Sequence, residues 1–321
     1  MAMVYGTGQP RPSLSESCGR YRATLRPLFQ PLFRAETVEV FDWRCPGHDT
    51  PAHEEEYADA YAVVVVRRGS FVREVDGRPA FIPSGTLMFA TPGEGYRFRH
   101  PAPGGDACSV FQASTDSLRE MLGELDPVQG EAPNPRLPLA QAPIGGREYL
   151  LQRLAMRAAA LGGDPVEKEE SALRFLWAAL AYAAARSGRG ARCRPRLTGA
   201  AWARALDYVV GVHEVIRRRF QDRLTLAGIG REVGCSPFHL SRLMTEVTGL
   251  SIHRHLVRHR LHQALERVLD SRENLSAIAF ATGFSSHSHL TDTFRREFGR
   301  TPDRIRRSPP RRDASPIRPR T

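Results

Sequence analysis

The apolar positions of this chain change period part-way along it. Between residues 38 and 113 they fall in short β-branched or aromatic runs, Val38–Arg44, Tyr61–Arg67, Phe71–Val75, Arg78–Ile82, Thr86–Phe89, Tyr96–His100 and Cys108–Ala113, parted by Gly, Pro and Asp. Short runs at close spacing, with no helical stretch between them, predict an antiparallel barrel or sandwich. Asp76-Gly77, between two of the runs, is the dipeptide favoured in a two-residue hairpin turn. A barrel of that size has room for a small ligand. Alternation along the strands makes Val63, Val65, Phe71, Phe81, Phe89, Tyr96 and Phe98 candidates either for lining that space or for plain core.

From residue 147 the period becomes helical. Arg147–Leu161 and Glu167–Arg186 carry Leu150, Leu151, Leu154, Leu173, Leu176, Trp177 and Leu180 at helical spacing, and Gly162-Gly-Asp-Pro165 between them reads as the turn of a hairpin. The hairpin is a candidate dimerisation surface, or it packs back on its own barrel. Seven more helices are expected from Ala200, at about 201–220, 226–233, 237–248, 252–270, 275–281 and 286–298, with a last short turn begun by Thr301-Pro302. The expected fold class is therefore α+β in two domains: an N-terminal antiparallel β-barrel with a helical hairpin, and an all-α C-terminal domain. The boundaries predicted are a poorly defined lead at 1–34, the barrel at 35–126, a linker at 127–146, the hairpin at 147–186, a flexible linker at 187–199, the helical domain at 200–306 and a disordered basic tail at 307–321.

Within the helical domain one unit is written twice. Leu226-Ala-Gly-Ile-Gly-Arg-Glu-Val-Gly234 returns 49 residues later as Leu275-Ser-Ala-Ile-Ala-Phe-Ala-Thr-Gly283, and each copy runs on through a Ser-containing turn into a second amphipathic stretch ending at Gly249 or Gly299. A short helix, a glycine that leaves it with positive φ, and a second helix at a steep angle make a helix-turn-helix. Ser236-Pro237 supplies an N-cap followed by proline at the first helical position. Gly230 stands where the second copy has Ala279, so the first helix is expected to be looser by roughly 1 kcal/mol.

Charge separates along the same boundary. Residues 201–321 hold 22 Arg and no Lys against 12 Asp and Glu, a net of +10, whereas residues 1–200 are close to neutral at +1. An excess of that size on the repeated unit is what a phosphate-facing surface needs. Lys168 is the sole lysine, a skew better ascribed to genome base composition than to guanidinium chemistry. The longest apolar run, Phe175–Ala185, is too short for a bilayer, and the first residues have no apolar signal core. Five scattered cysteines, Cys18, Cys45, Cys108, Cys193 and Cys235, form no CxxC pair. A cytoplasmic protein with no membrane partner is expected.

The segments Gly234-Cys-Ser-Pro-Phe-His-Leu-Ser-Arg-Leu243, Thr248-Gly249, Arg260-Leu261, Ala264, Ile278-Ala279, Gly283-Phe284-Ser-Ser-His-Ser-His-Leu290, Phe294-Arg295 and Phe298-Gly-Arg-Thr-Pro302 together resemble the DNA-binding domain of AraC-type bacterial transcription regulators, over about 100 residues. The resemblance implies two recognition helices on one face, about one turn of B-DNA apart, entering successive major grooves of double-stranded promoter DNA in the nucleoid. It implies base-facing roles for Phe238, His239, Ser241 and Arg242 in the first recognition helix, and for His287, Ser288, Thr291 and Asp292 in the second. Arg242 is the foremost candidate, because a guanidinium pairs bidentately with guanine O6 and N7. Asp292 departs from the Arg often found there. Near phosphate a carboxylate is repelled unless it accepts from cytosine N4 or orients an arginine, so the second unit either reads less or only positions. Arg295 and Arg296 are candidate phosphate contacts. The resemblance also implies activation, and with it contact with RNA polymerase, a homodimer, and a small effector of unspecified identity.

More weakly, Arg67-Arg-Gly-Ser-Phe71, Asp76-Gly77, Gly85 and Thr91-Pro-Gly-Glu-Gly-Tyr96 are similar to the cupin-like sensor barrel of such regulators. The paired histidines of a metal-binding cupin are missing: His53 is followed by three Glu, and position 96 is Tyr. No metal, cofactor or catalytic residue is therefore expected, although Cys45, His48, His53 and Glu54 place soft and hard ligands close together. The alternative to a regulator is a cupin-type enzyme tethered to DNA, using Glu54, Glu55, His53 and His100. No nucleophile, triad order or phosphate loop accompanies those residues.

Overall fold

A computed structural model of the protein describes residues 29–47, 55–187 and 199–307. The expectations for residues 1–28, for the linker at 188–198, for the tail from Ser308, and for Cys18, His48, His53, Glu54 and Cys193 lie outside the described residues. Those that are described divide into a first unit, 29–144 with 159–187, and a second, 145–158 with 199–307.

The first unit is an antiparallel sheet of nine strands: β1 (Phe29–Arg34), β2 (Val38–Cys45), β3 (Glu56–Tyr57), β4 (Tyr61–Val75), β5 (Arg78–Pro83), β6 (Thr86–Ala90), β7 (Gly95–Arg99), β8 (Asp106–Ala113) and β9 (Gln141–Pro143). Its main path runs β1-β2-β8-β4-β6-β9. The two strands expected at 61–67 and 71–75 are one. β4 runs through Gly69, whose φ is +73°, after a register shift between Val66 and Arg68. Its first half pairs with β6 and β8, and its second half with β5 and β7. One strand thus serves two sets of neighbours, and a bulge at its middle supplies the bend.

Strand alternation sorts the side chains. Phe41, Ala62, Val64, Val66, Phe71, Ile82, Met88, Cys108 and Val110 pack together as the interior core, with Trp43 and Phe98 against it. Phe71 and Phe98 meet edge to face at 5.0 Å, and Tyr96 lies 4.8 Å from Phe98. Of the candidate lining residues, these three share the interior. Val63, Val65, Phe81 and Phe89 do not, and take the other alternative, plain core. Val63 stands opposite both Phe89 and Phe111, and the Phe111 ring packs at 4.5 Å on Phe175 of a helix. These residues fill the layer between sheet and helix. Val65 has the parity of Val63, and Phe81 pairs with Val72 on the face away from Phe71 and Ile82. The range read as barrel ends in a helix, α1 (Thr115–Leu125), which buries Leu118 and Leu122, and the interval read as a linker, 127–146, holds structure: α2 (Pro127–Glu131) starts on a proline, and β9 pairs with β6.

The expected hairpin helices exist as α3 (Gly146–Ala160) and α4 (Pro165–Ser187), but they belong to different units. α4 buries Phe175, Leu176, Ala179 and Leu180 in the first unit, and its Tyr182 hydroxyl donates to the Pro143 carbonyl at 2.7 Å. The second unit comprises α3 with α5 (Gly199–Arg219), α6 (Leu226–Val233), α7 (Pro237–Thr248), α8 (Ile252–Asp270), α9 (Leu275–Ala281), α10 (His287–Phe298) and α11 (Pro302–Arg307), the seven helices expected after residue 200 and one more. Among the described residues, no helix is long and apolar enough to cross a membrane.

Candidate nucleic-acid interface

Local chemistry fixes each turn of the repeat. Thr225 caps α6 by accepting from Gly228 N–H at 3.1 Å, and Gly234 closes it with φ +74°. Ser236 and Ser286 cap α7 and α10, accepting from His239 N–H at 3.3 Å and His289 N–H at 3.1 Å. Gly249 and Gly299 end both helices at φ +74°. Gly230 is not the loose point expected. A Cβ there would stand 2.7 Å from the Cys235 carbonyl oxygen, so the tight approach of the turn to α6 requires glycine.

The apolar backs of the two turns are buried: Ile229, Leu240, Leu243 and Met244 in the first, and Ile278, Ala279, Leu290 and Phe294 in the second. What remains outward is the candidate reading surface. On α7, Phe238 is 83% exposed, Arg242 is exposed, and His239 and Ser241 are half-buried. Arg242 lies 3.4 Å from both Glu246 and His239 Nδ1, on its own helix. On α10, His287, Ser288, Asp292, Arg295 and Arg296 are exposed. Arg296 folds back, donating to the Asp292 carbonyl at 3.3 Å and the Thr293 hydroxyl at 3.2 Å. Thr291 is placed differently, since its Oγ1 is buried without a hydrogen-bond partner. Sequence reading overlooked Phe280, which is 65% exposed on α9 amid an otherwise apolar helix.

Charged contacts on α8 and α5 stiffen the frame that carries these helices. Arg260 donates to the carbonyls of Phe220 at 2.6 Å and Asp222 at 2.8 Å, holding the turn after α5. Arg218 and Arg219 both reach Glu232 of α6, at 2.7 and 2.9 Å. Glu297 of α10 faces Arg258 of α8 at 3.6 Å. Four histidines, His213 on α5 and His255, His259 and His262 on α8, are held neutral by burial, with Arg258 adding to the effect at His255 and His262 and Arg217 at His259; His255 and His259 are lowered to about 4. α3 completes the frame. Its Tyr149 ring stacks on His262 at 3.7 Å, and Arg153 pairs with Glu266 at 2.6 Å and Asp270 at 3.3 Å.

A family model described as a helix-turn-helix domain matches residues 229–308. The transcriptional activator RhaS of Escherichia fergusonii is 26% identical over 289 residues, covering 88% of this chain and 96% of the relative. Residues 229–308 thus carry a helix-turn-helix domain, and the similarity to RhaS runs along nearly the whole chain. The transcriptional regulator GlxA of Rhizobium meliloti is 34% identical over 102 residues, 31% of each chain. Among solved structures, an AraC-type regulator of Chromobacterium violaceum has 25% identity and a TM-score of 0.31, covering 32% of this chain and 93% of its own. ToxT of Vibrio cholerae has 12% identity and a TM-score of 0.33, covering 84% of this chain and 98% of its own. The chain is a DNA-binding transcription regulator, and RhaS, matched along nearly its whole length, is an activator by name rather than an enzyme. Of the residues of the enzymatic alternative, Glu55 is exposed and hydrogen-bonded by Tyr57, while His100 is drawn to Asp106.

Proposed function

We propose that this regulator reads two successive major grooves with α7 and α10, and that its β unit, by binding a small effector or a second copy, sets which operator arrangement is held. The observation that carries the reading is the pairing of two capped turns, each with an apolar back and an outward polar ridge, on one continuous helix, α8. Its 19 residues make a rod of about 28 Å. That is of the order of the roughly 34 Å between successive grooves on one face of DNA. Base reading falls to Phe238, His239, Ser241 and Arg242 on α7, and to His287 and Ser288 on α10. Asp292 orients Arg296 through its carbonyl and accepts from cytosine where one is offered. Thr291, with its hydroxyl turned inward, serves the packing of α10. Arg295 and Arg296 are assigned to phosphate. Activation, as the name of RhaS records for that protein, entails contact with RNA polymerase.

The test is selection of bound sequences from a random duplex library with the full chain at near-physiological salt. Two conserved blocks about one helical turn apart support the proposal. A single block, or retention that is sensitive to salt but has no consensus, overturns two-groove reading.

A further inference from the structure

The β unit holds a constellation that DNA reading does not use. Strand parity places Cys45 of β2, Phe98 of β7, and Asp106 and Cys108 of β8 on the interior face, and the β2–β8 register sets Cys45 directly opposite Asp106. His100, two residues beyond Phe98, reaches the same point. One ligand atom from each of Cys45, His100 and Asp106 lies within 4.8 Å of the others. His100 Nε2 is 2.7 Å from Asp106 Oδ1, and the two side chains are only 7% and 5% exposed. The second carboxylate oxygen accepts from Cys108 Sγ at 3.1 Å.

Three glycines make this convergence possible. A Cβ on Gly105 would stand 1.8 Å from the Cys45 carbonyl oxygen, and one on Gly69 would stand 1.9 Å from the Gly105 carbonyl oxygen. Gly47 meets Gly105 from the other side, its Cβ position 2.7 Å from Gly105 N. Backbone therefore touches backbone at the strand ends that carry Cys45 and Asp106. As ordinary core the cluster is costly, because it buries a carboxylate against an imidazole, with the Cys108 thiol on the other carboxylate oxygen. That cost points to a function.

We propose that Cys45, His100 and Asp106 form a binding site for a divalent metal ion of the zinc class. Thiolate, imidazole and carboxylate are the donor types zinc takes from proteins, with bonds of about 2.0–2.3 Å that set donors roughly 3.3–3.8 Å apart. The ion displaces the proton shared by Nε2 and Oδ1 and the Cys45 thiol proton, both released to solvent; Nε2 and Oδ1, 2.7 Å apart, separate by on the order of 1 Å and Cys45 Sγ closes in by a similar amount. Cys108 acts as a positioning residue on the free carboxylate oxygen. Three protein ligands leave the fourth position open to water or a small ligand. The site stands in the β unit and is independent of groove reading by the helices.

The experiment is a titration of the metal-depleted full-length protein with cobalt(II), followed by competition with zinc(II). The expected result is one equivalent bound, with a near-ultraviolet thiolate-to-cobalt absorption that Cys45→Ser removes and Cys235→Ser leaves unchanged. His100→Gln, with its secondary structure checked by circular dichroism, should lose at least about 100-fold in zinc affinity, the upper end of what the loss of an outer-shell partner brings. Zinc should also protect Cys45 from alkylation in the parent protein. Absence of the absorption in the parent, or its survival in Cys45→Ser, overturns the assignment.

Discussion

Arg242 is exposed on α7 and held only by contacts at 3.4 Å along its own helix, so its guanidinium is free to exchange them for a base. Arg242→Ala should weaken binding to the selected operator by about 1–3 kcal/mol and leave binding to random duplex nearly unchanged, as measured by fluorescence anisotropy on both. Equal loss on both would make it a phosphate contact. Gly230 makes the opposite kind of demand. Helix propensity alone says Gly230→Ala should stabilise α6 by up to about 1 kcal/mol, but the new Cβ meets the Cys235 carbonyl at 2.7 Å. Overpacking of that kind costs about 1–3 kcal/mol, so urea unfolding should show a net loss. Ala279, at the same place in the second copy, is fully buried without such an obstacle. The repeat is thus equal in pattern and unequal in fit.

At the scale of elements, α3 is the part whose partner the sequence did not announce. Its Tyr149 is 2% exposed, stacked on His262 and hydrogen-bonded to Glu266 at 3.2 Å. Tyr149→Ala should cost about 3 kcal/mol by opening a cavity against α8, and hydrogen exchange of α8 should rise with it. The seven helices after residue 199 were legible because caps, glycines and apolar spacing agree there, as at Thr225, Gly234, Ser236 and Gly249. α1 was not, since two buried leucines make too thin a stripe to notice. The three residues of β9 gain their identity only from the edge of β6. Periodicity also could not place Val63 and Val65. Both faces of β4 are apolar, and only the register with β8 shows which face meets α4. The reading helices were thus visible as local pattern. The gathering of Cys45, His100 and Asp106 was not, because it depends on pairing across some sixty residues of chain.

For the whole molecule, the two units should answer acid differently. His255 and His259, lowered to about 4 by burial and then by Arg258 and Arg217 respectively, stay neutral in the folded helical unit while the unfolded chain takes up protons near 6.5. Their contribution to stability is complete above about pH 6.5 and is lost as pH falls toward 4, by on the order of 2–3 kcal/mol for each imidazole. His213 and His262 shift in the same direction. Asp59 of the β unit runs the other way: burial raises it to about 6, so its contribution is present below about pH 4 and lost as pH rises through 6. Acid titration followed by limited proteolysis should therefore cleave the helical unit first; simultaneous loss of both units would contradict this. The path of the chain carries a further consequence. The helical unit takes residues 145–158 from upstream, before the polypeptide returns to the β unit and then enters the helical unit again. A fragment begun at Gly199, where the tandem turns invite a cut, would leave the His262 ring face bare and strand Glu266 and Asp270 without Arg153. DNA affinities measured on such a severed reading head would describe a weakened frame, and supplying the 145–158 peptide in trans should restore part of its melting temperature.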